Sequence, residues 1–229
     1  DRDEMLHQLA DLLSTSGRRA SGLLAEITAF ARQWLPVTHG AALENFSDQA
    51  ANVLSRMSTQ VVAFFDELLD FLSDRSNGES FEYAQRIRIT RSLRNEQGWT
   101  RVESAFENLK NEMTAMARSL DGLSRAMKEL SDVHNDATGE SGQSLEMLTA
   151  RALGAKRCMD EACEQMNAII SKPGEQSIYW VEMQASSDRG GYARKTGSAR
   201  VTLNAAPLNV GPLMRKFIWD AKKSVILTS

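Results

Sequence analysis

The sequence predicts a mainly α protein: a bundle of long helices that contains an antiparallel, coiled-coil-like hairpin, followed by a small C-terminal α/β segment. Two observations predict this class. Apolar residues recur at steps of three and four over most of residues 1–175, and alternating apolar and polar residues replace this pattern over residues 176–229. No apolar stretch approaches the ~20 residues of a membrane span, so we expect no membrane partner. Cys158 and Cys163 are five residues apart in a predicted helix, on different faces rather than in disulfide geometry, so we expect a reducing, cytoplasmic location.

Three helices are predicted in residues 1–75. Two shorter helices precede Pro36, and a longer one runs toward the turn at Ser76–Ser80, because their apolar positions repeat with the helical period. Those positions are Met5, Leu6, Leu9, Leu12 and Leu13, then Leu23, Leu24, Ile27, Phe30, Trp34 and Leu35, then Phe46, Ala50, Val53, Met57, Val61, Phe64, Leu68 and Phe71.

A long helical hairpin is predicted over residues 101–171. Two helices each carry one apolar seam, and the polar stretch NDATGESGQ separates them. Such binary patterning indicates a packed core rather than a cofactor pocket, so we interpret the seams as structural. The seam residues are Val102, Phe106, Leu109, Met113, Met116, Leu120, Leu123, Met127 and Leu130, then Leu145, Leu148, Ala152, Ala155, Met159, Ala162, Met166 and Ile169.

The stretch FEYAQRIRITRSLRNEQGW, between the third helix and the hairpin, breaks the helical period. RIRIT alternates, so it is compatible with a short extended segment or with a helix. Two interpretations of its basic character stay open: a solvated surface that offsets the acidic helices, or a contact with nucleic-acid phosphates. Trp99 could stack on a base, but a core anchor at the start of the hairpin is the favoured role. The four arginines concerned are Arg86, Arg88, Arg91 and Arg94.

The C-terminal segment has a different character. QSIYWVEMQ and SARVTLNAAP predict strands, PLNVGPLMRKFIWD a short helix, and KKSVILTS a buried strand, while Trp180 and Trp219 are expected to pack in the sheet layer. Parallel strands need covered faces and neighbours, so this segment suggests the edge of a larger α/β domain that has the helical region inserted into it. A basic loop supplies further candidate contacts at Arg189, Arg194 and Lys195, beside Tyr192.

Charge and motifs exclude several function classes. The net charge of −3 combines acidic helices with a basic C-terminal segment. The sequence contains no G-x-x-x-x-G-K-[ST] loop, no G-x-G-x-x-G after a strand and no H-E-x-x-H, so we expect no nucleotide cradle in this chain. Cys158 and Cys163 and the scattered histidines His7, His39 and His134 offer no metal-ligand spacing, so no metal site is expected.

The runs IYWVEM, LNAAPLNVGPLM and SVILTS resemble the end of the first motor domain of DinG/XPD-type superfamily 2 DNA helicases. There a Trp-bearing strand precedes an "aaPldv" segment, a helix, and a strand that runs into T-S-A-T-L, helicase motif III. The resemblance is specific over residues 176–229, which would be part of a RecA-like motor domain. It is loose over residues 1–175, whose long helices match by position the helical Arch insertion of that family.

The resemblance implies that this chain helps to gate the DNA channel and does not itself hydrolyse ATP. In relatives the Arch helps enclose a channel for single-stranded DNA, while the motor domains hydrolyse ATP and translocate 5′ to 3′. Thr228 and Ser229 would begin motif III, whose hydroxyls couple nucleotide state to DNA contacts, and the sequence would stop inside that motif. ATP and Mg²⁺ would then be bound by the remaining motor domains, and this chain alone is expected to be inactive. Whether the whole protein carries an iron–sulfur cluster stays open.

The competing hypothesis treats residues 1–175 as a free-standing helical module for protein–protein interaction. The regular hairpin and its acidic surface support it, because an acidic surface gives no electrostatic reason to bind nucleic acid. This hypothesis leaves the C-terminal segment unexplained. The reading frame beyond Ser229 distinguishes the two, since the helicase hypothesis predicts Ala-Thr-Leu or Gly-Thr-Leu there.

Overall fold

A computed structural model describes residues 1–13, 22–75, 85–133, 140–185 and 199–222. Helices dominate these ranges, and three strands form one sheet, so the predicted mainly α class with a small C-terminal α/β segment is confirmed. The elements are α1 (Arg2–Leu13), α2 (Leu23–Trp34), α3 (Val37–Arg75), β1 (Gln85–Arg88), α4 (Arg91–Arg94), α5 (Trp99–Val133), α6 (Glu140–Ile170), β2 (Ser177–Ala185), β3 (Ala199–Pro207), α7 (Gly211–Met214) and a π-helical turn at Arg215–Trp219.

The long helices α3, α5 and α6 pack side by side. α5 lies between the other two and contacts both along its length. Arg56 contacts Glu112 at 3.1 Å, and Arg101 contacts Glu67 at 4.0 Å, so α3 and α5 run antiparallel. α6 returns along α5 as the second arm of the hairpin.

The two short N-terminal helices together occupy the fourth row of the bundle. Arg32 of α2 contacts Glu44 at 3.1 Å near the start of α3, whereas Arg2 of α1 contacts Asp66 at 3.7 Å near its end. α2 also contacts α6. The four rows therefore alternate in direction, which is the topology of an up-down four-helix bundle.

The predicted hairpin of residues 101–171 is confirmed. Its seams line the bundle core, since nearly every seam position is buried and the remaining ones are half-buried against it. Two edge-to-face aromatic pairs extend this core: Phe64 with Phe106, whose ring centroids are 5.9 Å apart, and Phe71 with Trp99 at 5.4 Å. Trp99 is fully buried, so the favoured role as a core anchor is confirmed.

Gly98 allows Trp99 to approach Phe71 closely. A Cβ atom placed on residue 98 would lie 2.7 Å from a ring carbon of Phe71, which is below any normal contact distance. A larger residue would therefore force the ring or the start of α5 to move. The chain needs glycine here for close approach rather than for an unusual backbone conformation.

The sheet has the order β1-β2-β3, with both pairs antiparallel. RIRIT is therefore extended, which decides between the two alternatives that its pattern left open. The strands β2 and β3 pair with each other as neighbours, not in the parallel arrangement considered from the sequence. β1 comes from residues before the hairpin, so one sheet joins both parts of the chain.

The sheet closes one end of the bundle, which we call the sheet end. Its inner face buries Tyr179, Val181, Met183 and Val201 against the helices. Its outer face carries the polar side chains of β1 and β2. Arg200 of β3 forms an ion pair with Asp1, which ties the start of α1 to the same end.

The segment after β3 exposes apolar side chains. The predicted short helix is present as α7 and the π-helical turn, but its large apolar residues remain in contact with solvent. Trp219 is 42% exposed, so it does not pack in the described part of the molecule as expected. The other exposed residues are Leu208, Val210, Leu213 and Phe217.

Candidate nucleic-acid interface

All four arginines of the middle segment lie at the sheet end. Arg86 and Arg88 alternate with Ile87 along β1, so both point to the outer face of the sheet. The backbone N–H of Leu93 donates to the Thr90 hydroxyl at 3.2 Å, which caps the short helix that carries Arg91 and Arg94. The local fold therefore gathers four cations that are spread over nine residues of sequence.

Arg86 already has an acidic partner. Its Nε lies 3.3 Å from a carboxylate oxygen of Glu182, the residue directly opposite on β2. The Arg86 side chain nevertheless keeps 71% of its surface exposed. Cross-strand ion pairs of this kind contribute a fraction of a kcal/mol, so Arg86 is partly neutralised rather than held rigidly.

Arg94 holds two elements together. Its Nη2 donates to the carbonyl oxygen of Ile169 at 2.6 Å, in the last turn of α6, and its guanidinium lies 5.7 Å from the ring centroid of Tyr179. A cation at this position satisfies a helix-terminal carbonyl and complements the helix dipole. Burial lowers the pKa of the Arg94 guanidinium from its ordinary value, although the nearby Tyr179 and Glu103 act in the opposite direction.

Arg88 and Arg91 have neither kind of partner. Both are exposed, and no carboxylate of the described residues forms an ion pair with either one. They border a pocket of about 340 Å³ between β1, the turn after α6 and the start of β2. We call it the arginine pocket, and its polar lining comprises Arg88, Thr90, Arg91, Arg94, Glu175, Ser177 and Tyr179.

An aromatic side chain lies beside Arg88 on the outer face. Trp180 is directly opposite Arg88 in the β1–β2 pairing and is half-buried. The sequence identified Trp180 only as a packing residue, because the alternation within β2 does not reveal which strand pairs with it. Only the register of β1 against β2 places this ring beside an arginine.

Several other predicted site residues lie outside the described ranges. These are Thr228 and Ser229 at the proposed start of motif III, the basic loop residues Arg189, Arg194 and Lys195, and His134. Trp99 is inside the core, so it cannot stack on a nucleic-acid base without unfolding the start of α5. The candidate interface in the described ranges therefore includes the exposed Arg86, Arg88 and Arg91 and the half-buried Trp180.

The described ranges contain neither a metal-binding cluster nor a membrane-spanning helix. Within them, no group of three or more His, Cys, Asp or Glu side chains is arranged to hold a metal ion. Among the same residues, no helix combines the length and the apolar character that crossing a bilayer requires. Cys158 and Cys163 are free thiols, and burial raises the pKa of Cys163.

Comparisons with known proteins add no relative. Protein-family models, curated proteins and solved structures were each searched, and none matches this chain. The resemblance of residues 176–229, together with geometry and charge at the sheet end, is therefore the basis for proposing a function.

Proposed function

We propose that this chain is part of an ATP-dependent 5′–3′ DNA helicase of the DinG type, acting in the cytoplasm in DNA repair or replication. Its helical region helps form or gate the channel for single-stranded DNA. The single observation that supports DNA contact is the pair of exposed arginines, Arg88 and Arg91, that have no ion pair among the described residues. Elsewhere in the bundle, arginines such as Arg56 and Arg151 are matched by carboxylates.

Unmatched arginines suit a single strand for a physical reason. Cations along a strand displace condensed counterions from the phosphates, which makes binding favourable and sensitive to salt. An aromatic ring beside them offers a surface on which a base can stack without sequence preference. Arg88 and Trp180, opposite each other on β1 and β2, supply both parts of such a contact.

Catalysis would belong to other parts of the helicase. The chain has no phosphate-binding loop, so ATP and Mg²⁺ would be bound by motor-domain residues outside it. In this proposal the described residues position DNA, and the remaining motor domains supply the chemical energy. The exposed apolar residues after β3 would then pack against those domains.

The test is single-stranded DNA binding, measured by fluorescence anisotropy with a labelled oligothymidine of about 20 nucleotides over a salt series. The test variant carries Arg88→Ala and Arg91→Ala. The control variant carries Arg56→Ala and Arg151→Ala, which removes the same charge from arginines that have carboxylate partners in the bundle.

We expect the Arg88→Ala/Arg91→Ala variant to lose affinity about tenfold or more at low salt, and its salt slope to fall by about two. The control should bind within about threefold of the unmodified chain. Equal losses in both variants would show that only net charge matters, and absence of binding at about 50 mM salt would remove the proposal.

A helical interaction module remains the second candidate. The observation that favours it is the set of large apolar side chains that the helices of residues 1–175 expose, among them Trp34, Phe46 and Met147, since exposed apolar side chains are typical of a surface that another protein covers. This candidate predicts no salt-sensitive DNA binding. The same titration therefore distinguishes the two functions.

A further inference from the structure

The arginine pocket lies where three segments of the chain meet. β1 and the start of α4 form one wall, the turn after α6 forms the second, and the start of β2 forms the third. Its volume of about 340 Å³ falls at the low end of the range for small-molecule sites. Arg88 and Arg91 are exposed at its border, so a ligand could reach both from solvent.

The walls of the pocket carry an excess of positive charge. Three guanidinium groups line it, against one carboxylate, that of Glu175. Arg94 is already fixed by its hydrogen bond to Ile169, and its Nε is buried without a hydrogen-bond partner among the described residues. The Arg94 guanidinium therefore adds a fixed positive charge to the wall of the pocket, which favours an anion there.

Hydroxyl groups add donors beside the arginines. The Tyr179 hydroxyl accepts a hydrogen bond from the backbone N–H of Gly174 at 2.9 Å, so its own proton is not used in that contact. Ser177 contributes a second hydroxyl to the lining. Guanidinium and hydroxyl donors around a small open pocket match the several acceptor oxygens of a phosphate.

We infer that the arginine pocket binds one phosphate group, with Arg88 and Arg91 as its charged ligands and Ser177 as a hydroxyl donor. Arg94 and Tyr179 form the fixed wall behind it. The inference rests on the proposed function, in that the phosphate belongs to a nucleic acid. A terminal phosphate and an internal phosphodiester share this chemistry, and the experiment separates them.

Glu175 provides the sharpest test, because its carboxylate opposes an anion. Replacing Glu175 with Gln removes that repulsion while preserving side-chain size, so phosphate should bind more tightly. Glu182→Gln is the matched control: it removes the same charge from the sheet end but lies outside the pocket. Glu175→Gln should raise phosphate affinity more than Glu182→Gln only if the phosphate binds inside the pocket.

The experiment measures two bindings for each variant. Inorganic phosphate is titrated by calorimetry at constant ionic strength, and oligothymidines with and without a 5′-phosphate are titrated by anisotropy. We expect Glu175→Gln to tighten phosphate binding about threefold to tenfold, and Arg88→Gln and Arg91→Gln each to weaken it about fivefold or more. Unchanged circular dichroism confirms that each variant is folded.

Each outcome has a defined meaning. Equal effects of Glu175→Gln and Glu182→Gln would overturn the pocket site, because a general field would then account for binding. A preference for the 5′-phosphorylated strand assigns the ligand as a terminal phosphate, and equal affinity assigns it as an internal phosphodiester. DNA binding that does not respond to Glu175→Gln would overturn this inference but leave the proposed function standing. Phosphate binding without DNA binding would overturn the proposed function and the assignment of the phosphate to a nucleic acid, and would leave the pocket as a site for a free phosphate.

Discussion

The helical bundle and the sheet end differ in how far their arginines are paired and their apolar residues are buried. In the bundle, several arginines form ion pairs with carboxylates of neighbouring helices, as Arg56 does with Glu112, and most large apolar residues are buried. At the sheet end, Arg88 and Arg91 have no such partner among the described residues, and the segment from Leu208 to Trp219 exposes its apolar side chains. Ion pairs and apolar burial therefore dominate the contacts of the bundle, while Arg88, Arg91 and the segment after β3 leave charged and apolar groups exposed at the sheet end.

The contrast indicates that different residues of this chain determine its stability and its ligand binding. Buried apolar area and matched charges stabilise a fold, but they leave little for a ligand to gain. Unmatched arginines contribute little to folding and remain available for an anion. We therefore expect substitutions in the bundle to change the free energy of unfolding, and substitutions at the sheet end to change affinity.

The largest effect should come from the bundle core. Phe64 is fully buried and packs edge-to-face on Phe65 and Phe106, so Phe64→Ala should lower the free energy of unfolding by about 3–5 kcal/mol. Val62 on the same helix is 39% exposed, and Val62→Ala should change the free energy of unfolding by at most about 0.5–1 kcal/mol. Urea denaturation followed by circular dichroism measures both. Similar values for the two variants would contradict the assigned core.

Arg94 and Arg91 belong to the same arginine cluster, but their replacement should affect stability differently. Arg94→Ala removes the hydrogen bond to the Ile169 carbonyl and should cost about 1–2 kcal/mol of stability. Arg91→Ala, three residues earlier, should cost less than about 0.5 kcal/mol because Arg91 is exposed and has no ion pair among the described residues. Urea titrations of the two variants should therefore differ in midpoint. Coinciding midpoints would show that Arg94 is not a structural link.

The smallest effect concerns the charge matching within the bundle. A double-mutant cycle on Arg56 and Glu112, with each residue changed to Ala, should give a coupling energy of about 0.2–1 kcal/mol that shrinks as salt is added. A cycle on Arg88 and Glu112 should be additive, since no contact joins them. An equally large coupling energy in the second cycle would contradict the statement that Arg56 has a carboxylate partner and Arg88 does not.

The helices were predictable because their signal is local. The steps of three and four from Val102 to Leu130 determine which face of α5 is buried, and no other part of the chain is needed to read them. The burial of Trp99 followed from its place at the head of that pattern. The short helices α1 and α2 were also visible, but not that they share one row of the bundle, since that depends on packing against α3 and α6.

The arrangement at the sheet end depended on distant partners. Alternation shows that residues 85–88 are extended, but the pairing of Arg88 with Trp180 joins positions that are far apart in the sequence. Spacing also made the four arginines look equivalent. Their roles diverge because Glu182 neutralises one, Ile169 and Tyr179 fix another, and two are left open. Those neighbours are set by the tertiary fold.

The antiparallel rows also have a mechanical consequence. α5 contains 35 residues and is therefore about 50 Å long, and it begins at the sheet end beside Arg94. A tilt of about 5° at this base would move the far tip of the hairpin by about 4 Å, because the tip follows the rise of the whole helix. A tilt of the bundle about the sheet end would therefore displace the far tip most and the arginine pocket least.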